Sequence, residues 1–342
     1  MTRPGKRNLI TDVAGLTVGQ AEDVAARSGV TVILADREVT AAVDVRGGAP
    51  GTIGTDTLDP VNLVAAVDAV ALSGGSSYGL EAASGAMAWL GMRGRGFRFA
   101  PDVPAAPIVP GAIIFDLANG GNKNWGLTPP YRALAVAAVE RAGPDFALGN
   151  AGAGLGAIAG AYKGGTGSAS VVTEDGFTIG ALAIVNAVGS PIIPYTDVFW
   201  AFPFEWESEF GGRRLKPDFV PVDSSLPPDM KMPPREGANT TIAVIATDAD
   251  LSRVELKRLA IMAADGFARA LRPVHTPFDG DTVFALATAK RPLAEPRAFA
   301  IMQLGHAAAD CLARAIARGV YEAASLGEMQ GYHDRFASGG IA

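Results

Sequence analysis

The chain holds one cysteine, Cys311, and three histidines, His275, His306 and His333, in 342 residues. A single thiol excludes an intramolecular disulfide, and its Ala-rich helical setting predicts buried packing rather than catalysis. The histidines are scattered, with no zinc-ligand spacing and no visible Ser/His/Asp arrangement, so each is read as structural or exposed. No metal or organic cofactor is expected. There is no basic block and the net charge is −6, which argues against a nucleic-acid partner. No uninterrupted apolar run is long enough to span a bilayer, so no membrane association is expected. The first residues are charged but lead into Ile10-Thr-Asp-Val without a continuous apolar stretch for export, and the expectation is a soluble cytoplasmic protein. Rossmann and Walker signatures and internal repeats are absent as well.

What is present is apolar and glycine-rich: 49% hydrophobic residues, 19% charged residues and 42 glycines. That composition predicts close packing of elements and many tight turns. The length suffices for one large domain or two smaller ones. β-rich runs are predicted at 29–35, 39–45, 68–72, 112–117, 168–175 and 178–187, and helices from the Ala-rich stretch ending near Leu90 and over 131–142. Residues 149–167 are glycine-dense and read as loop or closely packed backbone. Residues 203–238, rich in proline and charge, read as an exposed linker. A β-α-β-α pattern follows. Strand 240–247 leads to a helix opened by the capping box Ser252-Arg-Val-Glu255 and running to about Leu271. Strand 282–288 and a last long helix within 298–326 complete it. Strands with long helices and no nucleotide signature predict a layered α/β (α+β) fold, helices covering paired sheets.

The candidate chemistry centres on Asn239-Thr240-Thr241, where the polar stretch meets an apolar strand. Read alone, the tripeptide is a polar strand entry. Read as a cleavage point, it makes Thr240 a new N-terminus with a hydroxyl nucleophile and an α-amine whose pKa lies near neutrality. Ser73-Gly-Gly-Ser-Ser-Tyr-Gly79 follows a strand and opens a helix. It could cradle a phosphate, but it lacks the P-loop lysine, and tight packing or an active-site wall is the alternative. Asp279-Gly-Asp281 is either a turn or a pair of carboxylates that orient an ammonium. Lys163 ends the glycine-dense segment and is either solvated or aimed into a cleft. Asn186 is either a turn residue or an oxyanion donor.

Together these motifs resemble the DmpA-type aminopeptidase family of self-cleaving N-terminal-nucleophile hydrolases. The resemblance runs from Leu9-Ile-Thr-Asp-Val-Ala-Gly-Leu-Thr-Val-Gly19 through Val43-Asp-Val-Arg-Gly-Gly48 and Ser73–Glu81 to Gly237-Ala-Asn-Thr-Thr-Ile242 and Asp279-Gly-Asp-Thr-Val-Phe284. By these motifs it is nearest the nylon-oligomer (6-aminohexanoate oligomer) hydrolase branch. It implies the layered αββα fold of DmpA and the ornithine acetyltransferases. It also implies one globular precursor, 1–342, cut after Asn239 into an N-terminal chain 1–239 and a C-terminal chain 240–342, with homo-oligomers of the processed pair. It assigns nucleophile to Thr240, supporting cation to Lys163, oxyanion donor to Asn186 and orienting carboxylates to Asp279 and Asp281, with Tyr78 and Phe115 as substrate-contacting aromatics. Two positions depart from the family. Phe115 stands where tyrosine is common, and Ile113 where the aminopeptidases carry the glutamate that holds a free substrate amine. The expected activity is hydrolysis of small peptides or linear oligoamides. The alternatives are an aminopeptidase demanding a free amino terminus, an acyltransferase of the ornithine acetyltransferase kind, and a binding protein that has lost the chemistry.

Overall fold

The computed structural model describes residues 2–220, 225–232 and 239–337. In chain order the strands are β1 (Arg3–Pro4), β2 (Leu16–Asp23), β3 (Ser28–Val45), β4 (Thr52–Ile53), β5 (Ala66–Ser73), β6 (Gly111–Ile113), β7 (Ile158–Ala159), β8 (Tyr162–Lys163), β9 (Thr166–Val172), β10 (Thr178–Asn186), β11 (Thr240–Ala249) and β12 (Thr282–Arg291). The helices are α1 (Glu81–Met92), α2 (Tyr131–Glu140), α3 (Arg253–Ala263), α4 (Asp265–Ala270), α5 (Arg297–Tyr321) and α6 (Tyr332–Ala337). The main sheet runs β1-β9-β10-β11-β12-β3-β5-β6-β4, with β2 paired to β3 off this path. Pairing is antiparallel except for β11/β12 and β5/β6. The parallel pair β11/β12 is joined by the α3–α4 crossover, as the β-α-β pattern predicts.

Alternation along the strands builds the layers, because successive side chains point to opposite faces. On β11, Ile242, Val244 and Ala246 enter a core shared with Ile33, Val70, Leu72 and Ile114 of the β3–β5–β6 half. Ala243 and Ile245 instead face a second core under α3, α4 and α5. Val30, Val32, Ala69 and Ala71 face a third core under α1 and α2. The order is therefore helices, sheet, sheet, helices, the αββα layering expected from the sequence.

Several expected boundaries move. Residues 29–35 and 39–45 belong to one long strand, whose register against β5 shifts between Leu34 and Val39. The capping box is made, with Ser252 Oγ accepting from the Glu255 amide. The helix it opens is nonetheless split into α3 and α4. The glycine-dense segment is packed backbone: Gly149, Gly165 and Gly167 lie directly against the backbone of the last turns of α5 and the residues just after it. The described part of 203–238 is not a free linker. Phe210 is buried against Phe199, and Glu209 pairs with the buried Arg314 at 2.5 Å and with Arg318 at 3.7 Å. Cys311 is buried, and burial pushes its thiol up to about 12.

Candidate active site

Three adjacent strand ends assemble the site. Asn186, the last residue of β10, is in register with Thr240, the first of β11. The loop entering β12 runs alongside, where Asn239 bridges Asp279 in parallel. The Asn239 carbonyl accepts from the Gly280 amide at 2.9 Å and from the Thr240 hydroxyl at 2.5 Å. Asn239, Thr240, Asp279 and Asp281 are all at most 1% exposed. The Asp-Gly-Asp motif is thus a turn and also part of the junction. A Cβ on Gly280 would lie 2.7 Å from Thr240 Oγ1 and 2.8 Å from the Ala49 carbonyl, so only glycine lets the three segments meet.

The two carboxylates are held differently. Asp281 accepts the Thr241 amide through Oδ1 at 2.8 Å, and through Oδ2 the His275 amide at 3.1 Å, with the His275 ring Nδ1 at 2.9 Å. Asp279 Oδ2 accepts from the Thr276 amide at 2.9 Å and its hydroxyl at 2.6 Å, and Oδ1 from the Val188 amide at 3.3 Å. Burial pushes the Asp279 carboxyl above the usual range, the Asp281 charge adds to that, and the hydrogen bonds from Thr276 and Val188 oppose it. The Thr241 hydroxyl is buried with no hydrogen-bond partner among the described residues. Of the two hydroxyls, the one from Thr240 addresses the carbonyl.

The other candidates sit on the β6–β8 side. Asn186 Oδ1 accepts from the Ile158 amide at 3.0 Å and its Nδ2 donates to the Phe115 carbonyl at 3.3 Å. Lys163 is buried, and its ammonium donates to the carbonyls of Gly154 at 3.1 Å and Gly164 at 2.7 Å. Burial pushes it down to about 7, with the Asp116 charge opposing. Its hydrogen bonds therefore go to the glycine-dense backbone and its facing charge is Asp116, not the Asp279–Asp281 pair. Tyr78 is half exposed and packs edge-on against Trp125, with ring centroids 5.6 Å apart. Ile113 is buried with its side chain over Gly51, so no carboxylate stands at that position. Gly75, at φ +84°, gives its amide to Asp116 Oδ1 at 2.7 Å.

Three residues were given no place around the Thr240 junction by sequence reasoning. His275, read as scattered, lies on Asp281. Asp116 accepts from Ser28 Oγ at 2.6 Å as well as from Gly75. Lys231, within the presumed linker, faces Asp279; burial pushes its ammonium down to about 7 and the Asp279 charge opposes this. His275 alone left a trace, being four residues from the Asp-Gly-Asp motif. The other two are brought in over long sequence distances.

A buried threonine thus lies against the carbonyl that precedes it, with paired carboxylates on the next strand entry. The profile of peptidase family S58 matches residues 8–334, and the chain belongs to that family. It is 44% identical to an uncharacterized aminopeptidase of Mycobacterium tuberculosis (strain H37Rv), over 96% of this chain and 98% of the relative. It is 32% identical to a 6-aminohexanoate-oligomer endohydrolase of Kocuria sp., over 83% of this chain and 76% of the relative. Among solved structures, the L-aminopeptidase D-Ala-esterase/amidase of Ochrobactrum anthropi superposes with a TM-score of 0.72 at 22% identity, covering 98% of this chain and 96% of that one. That protein is described as a variant of the N-terminal-nucleophile hydrolase fold. The chain is therefore an amidohydrolase of the peptidase class with that fold. Among the described residues, no helix is long and apolar enough to cross a membrane.

Proposed function

We propose that this protein is an autoprocessed N-terminal-threonine amide hydrolase that cleaves small peptides and linear oligoamides in the cytoplasm, as a homo-oligomer of processed chain pairs. The observation that carries the proposal is the Thr240 hydroxyl 2.5 Å from the Asn239 carbonyl oxygen, itself held by the Gly280 amide. In self-cleavage Thr240 Oγ1 attacks the Asn239 carbonyl carbon, and the Gly280 N–H stabilises the developing oxyanion. The C–N bond breaks with a proton passing to the nitrogen, leaving an ester. Water hydrolyses that ester, giving the Asn239 carboxylate and a free Thr240 α-amine, hence chains 1–239 and 240–342. In turnover the amine takes the hydroxyl proton as Thr240 attacks a substrate amide, and passes it to the leaving amine. Asp279 and Asp281 orient the amine. Asn186, in register with Thr240, supplies an amide to the oxyanion, and Lys163 adds positive charge behind it.

A substrate amine clamp is not needed. Ile113 replaces the carboxylate, and an unpartnered buried ammonium costs on the order of several kcal/mol. N-acylated or internal amides are expected to be cleaved at least as well as amino-terminal ones. The name of the M. tuberculosis relative favours the second reading, an aminopeptidase. Strong preference for a free-amine p-nitroanilide over its N-acetyl analogue would establish it.

The test of processing is a denaturing gel with N-terminal sequencing. Wild type should give two bands, the smaller beginning Thr-Thr-Ile. Thr240→Ala should stay at 35.1 kDa and lose at least about a thousandfold in activity. An uncut wild type with full activity would sink the mechanism.

A further inference from the structure

Lys231 belongs to a segment of the presumed linker that is pinned to the site. Two residues earlier, the Asp229 carbonyl accepts from the Ala161 amide at 2.8 Å, and Asp229 Oδ2 accepts from Tyr162 Oη at 2.7 Å and Ser190 Oγ at 3.1 Å. Met230 is buried. The Lys231 amide donates to the Val188 carbonyl at 2.8 Å, and the Val188 amide donates to Asp279. One residue, Val188, therefore links the lysine's backbone to the Asp279 carboxylate. Lys163 has two carbonyls on its ammonium, whereas the Lys231 ammonium has no hydrogen bond among the described residues, and the charge facing it is Asp279.

Among the described residues, Asp279 is bonded only by neutral donors, from Thr276 and Val188, and Asp281 by the Thr241 amide and by His275. Asp229 lies two residues away on Lys231's own segment, tied to Tyr162 and Ser190. With the chain intact, the basic groups around the two carboxylates are the His275 ring and the Lys231 ammonium. Cutting the chain adds a third, the α-ammonium of Thr240.

We infer that Lys231 is a positioning residue of the Thr240 site. It is the counter-charge of Asp279 in the uncut chain and, after the cut, keeps the Thr240 α-amine in its neutral, proton-accepting form. This rests on the self-cleaving reading above. The logic is electrostatic. Two carboxylates facing a lone α-ammonium hold it charged, and a second cation on the same pair makes the extra proton less welcome.

The experiment compares full-length wild type, Lys231→Arg and Lys231→Met, reading chain processing on denaturing gels and kcat/KM from about pH 5 to 9 on the p-nitroanilide that wild type cleaves fastest. In Lys231→Met the acid limb should move up by about one pH unit, roughly a tenfold loss at pH 6 with a preserved alkaline plateau. Lys231→Arg should keep the limb near the wild-type position. Unprocessed Lys231→Met beside processed Lys231→Arg also supports the inference, since charge then decides the cut. A processed Lys231→Met with an unmoved limb overturns it. So does equal failure of both variants as folded chains, which would make side-chain shape the requirement. A wild type that neither processes nor hydrolyses amides would instead refute the underlying function.

Discussion

Two buried acid–lysine clusters in this molecule are built from the same parts. Asp116 lies among glycines with Lys163 and Lys123 facing it, and Asp279 lies beside Gly280 with Lys231 facing it. In both, burial is the main cause that raises the carboxyl and depresses a lysine. The difference is what the carboxylate touches. Asp116 divides its oxygens between Ser28 and Gly75 and pins the β5–α1 turn to the chain after β6. Asp279 sits across a backbone bridge from a peptide bond whose carbonyl is already paired to a hydroxyl. Both places bury a carboxyl beside a lysine, and the Asn239–Thr240 junction lies beside the second of them.

The sharpest way to break this contrast is steric. Gly280→Ala puts a methyl 2.7 Å from Thr240 Oγ1. Misplacing a nucleophile by about 1 Å costs on the order of a hundredfold. Processing, followed as band ratio against time, should slow by at least that, with near-UV circular dichroism unchanged. Normal processing would mean that the hydroxyl tolerates movement and that proximity is not the device.

Next is Asp281→Asn. Without that carboxylate the α-ammonium loses a partner, so its pKa falls and the acid limb of kcat/KM should shift to lower pH, opposite in sign to the shift expected for Lys231→Met. The rate should drop between roughly tenfold and a hundredfold. A variant altered only in stability, with an unmoved limb, would reduce Asp281 to a turn residue.

Asp116→Asn sharpens the other half. A carboxyl raised in the folded state binds its proton more tightly there than in the unfolded chain. Its stability contribution is thus present below the unfolded value, about 3.9, and lost as pH rises through the folded one. The variant should flatten that part of the stability–pH curve, read as urea midpoints from about pH 4 to 8, and keep turnover within about threefold. A large loss of turnover with wild-type stability would make Asp116 part of the chemistry.

The smallest effect belongs to Thr241→Val. The hydroxyl has no partner among the described residues, so its removal should leave processing intact and change stability by no more than about 1 kcal/mol, in the stabilising direction. A folded, processed and inactive variant would move the nucleophile assignment.

The sequence pattern carried the parallel β-α-β unit, the capping box and the αββα order, because each rests on local period or spacing. The single strand β3 was not legible, since Asp36-Arg-Glu38 interrupts its alternation where the register shifts. The break between α3 and α4 was hidden too. Gly266 packs against the α5 backbone there, a long-range contact with no local signature. Thr240, Asp279 and Asp281 stood out through short motifs. Lys231 and Asp116 did not, because an isolated charged residue looks the same in sequence whether it meets water or a buried counter-charge.

The strand order has one more consequence. β11 and β12 lie between β10 and β3, so residues from beyond position 240 are hydrogen-bonded on both flanks to residues from before it. A cut at Asn239–Thr240 would yield two interleaved polypeptides, not two lobes joined at a seam. Separating them would mean tearing two ladders at once. The pieces should travel together through any native separation and part only in denaturant, with neither able to complete the sheet alone.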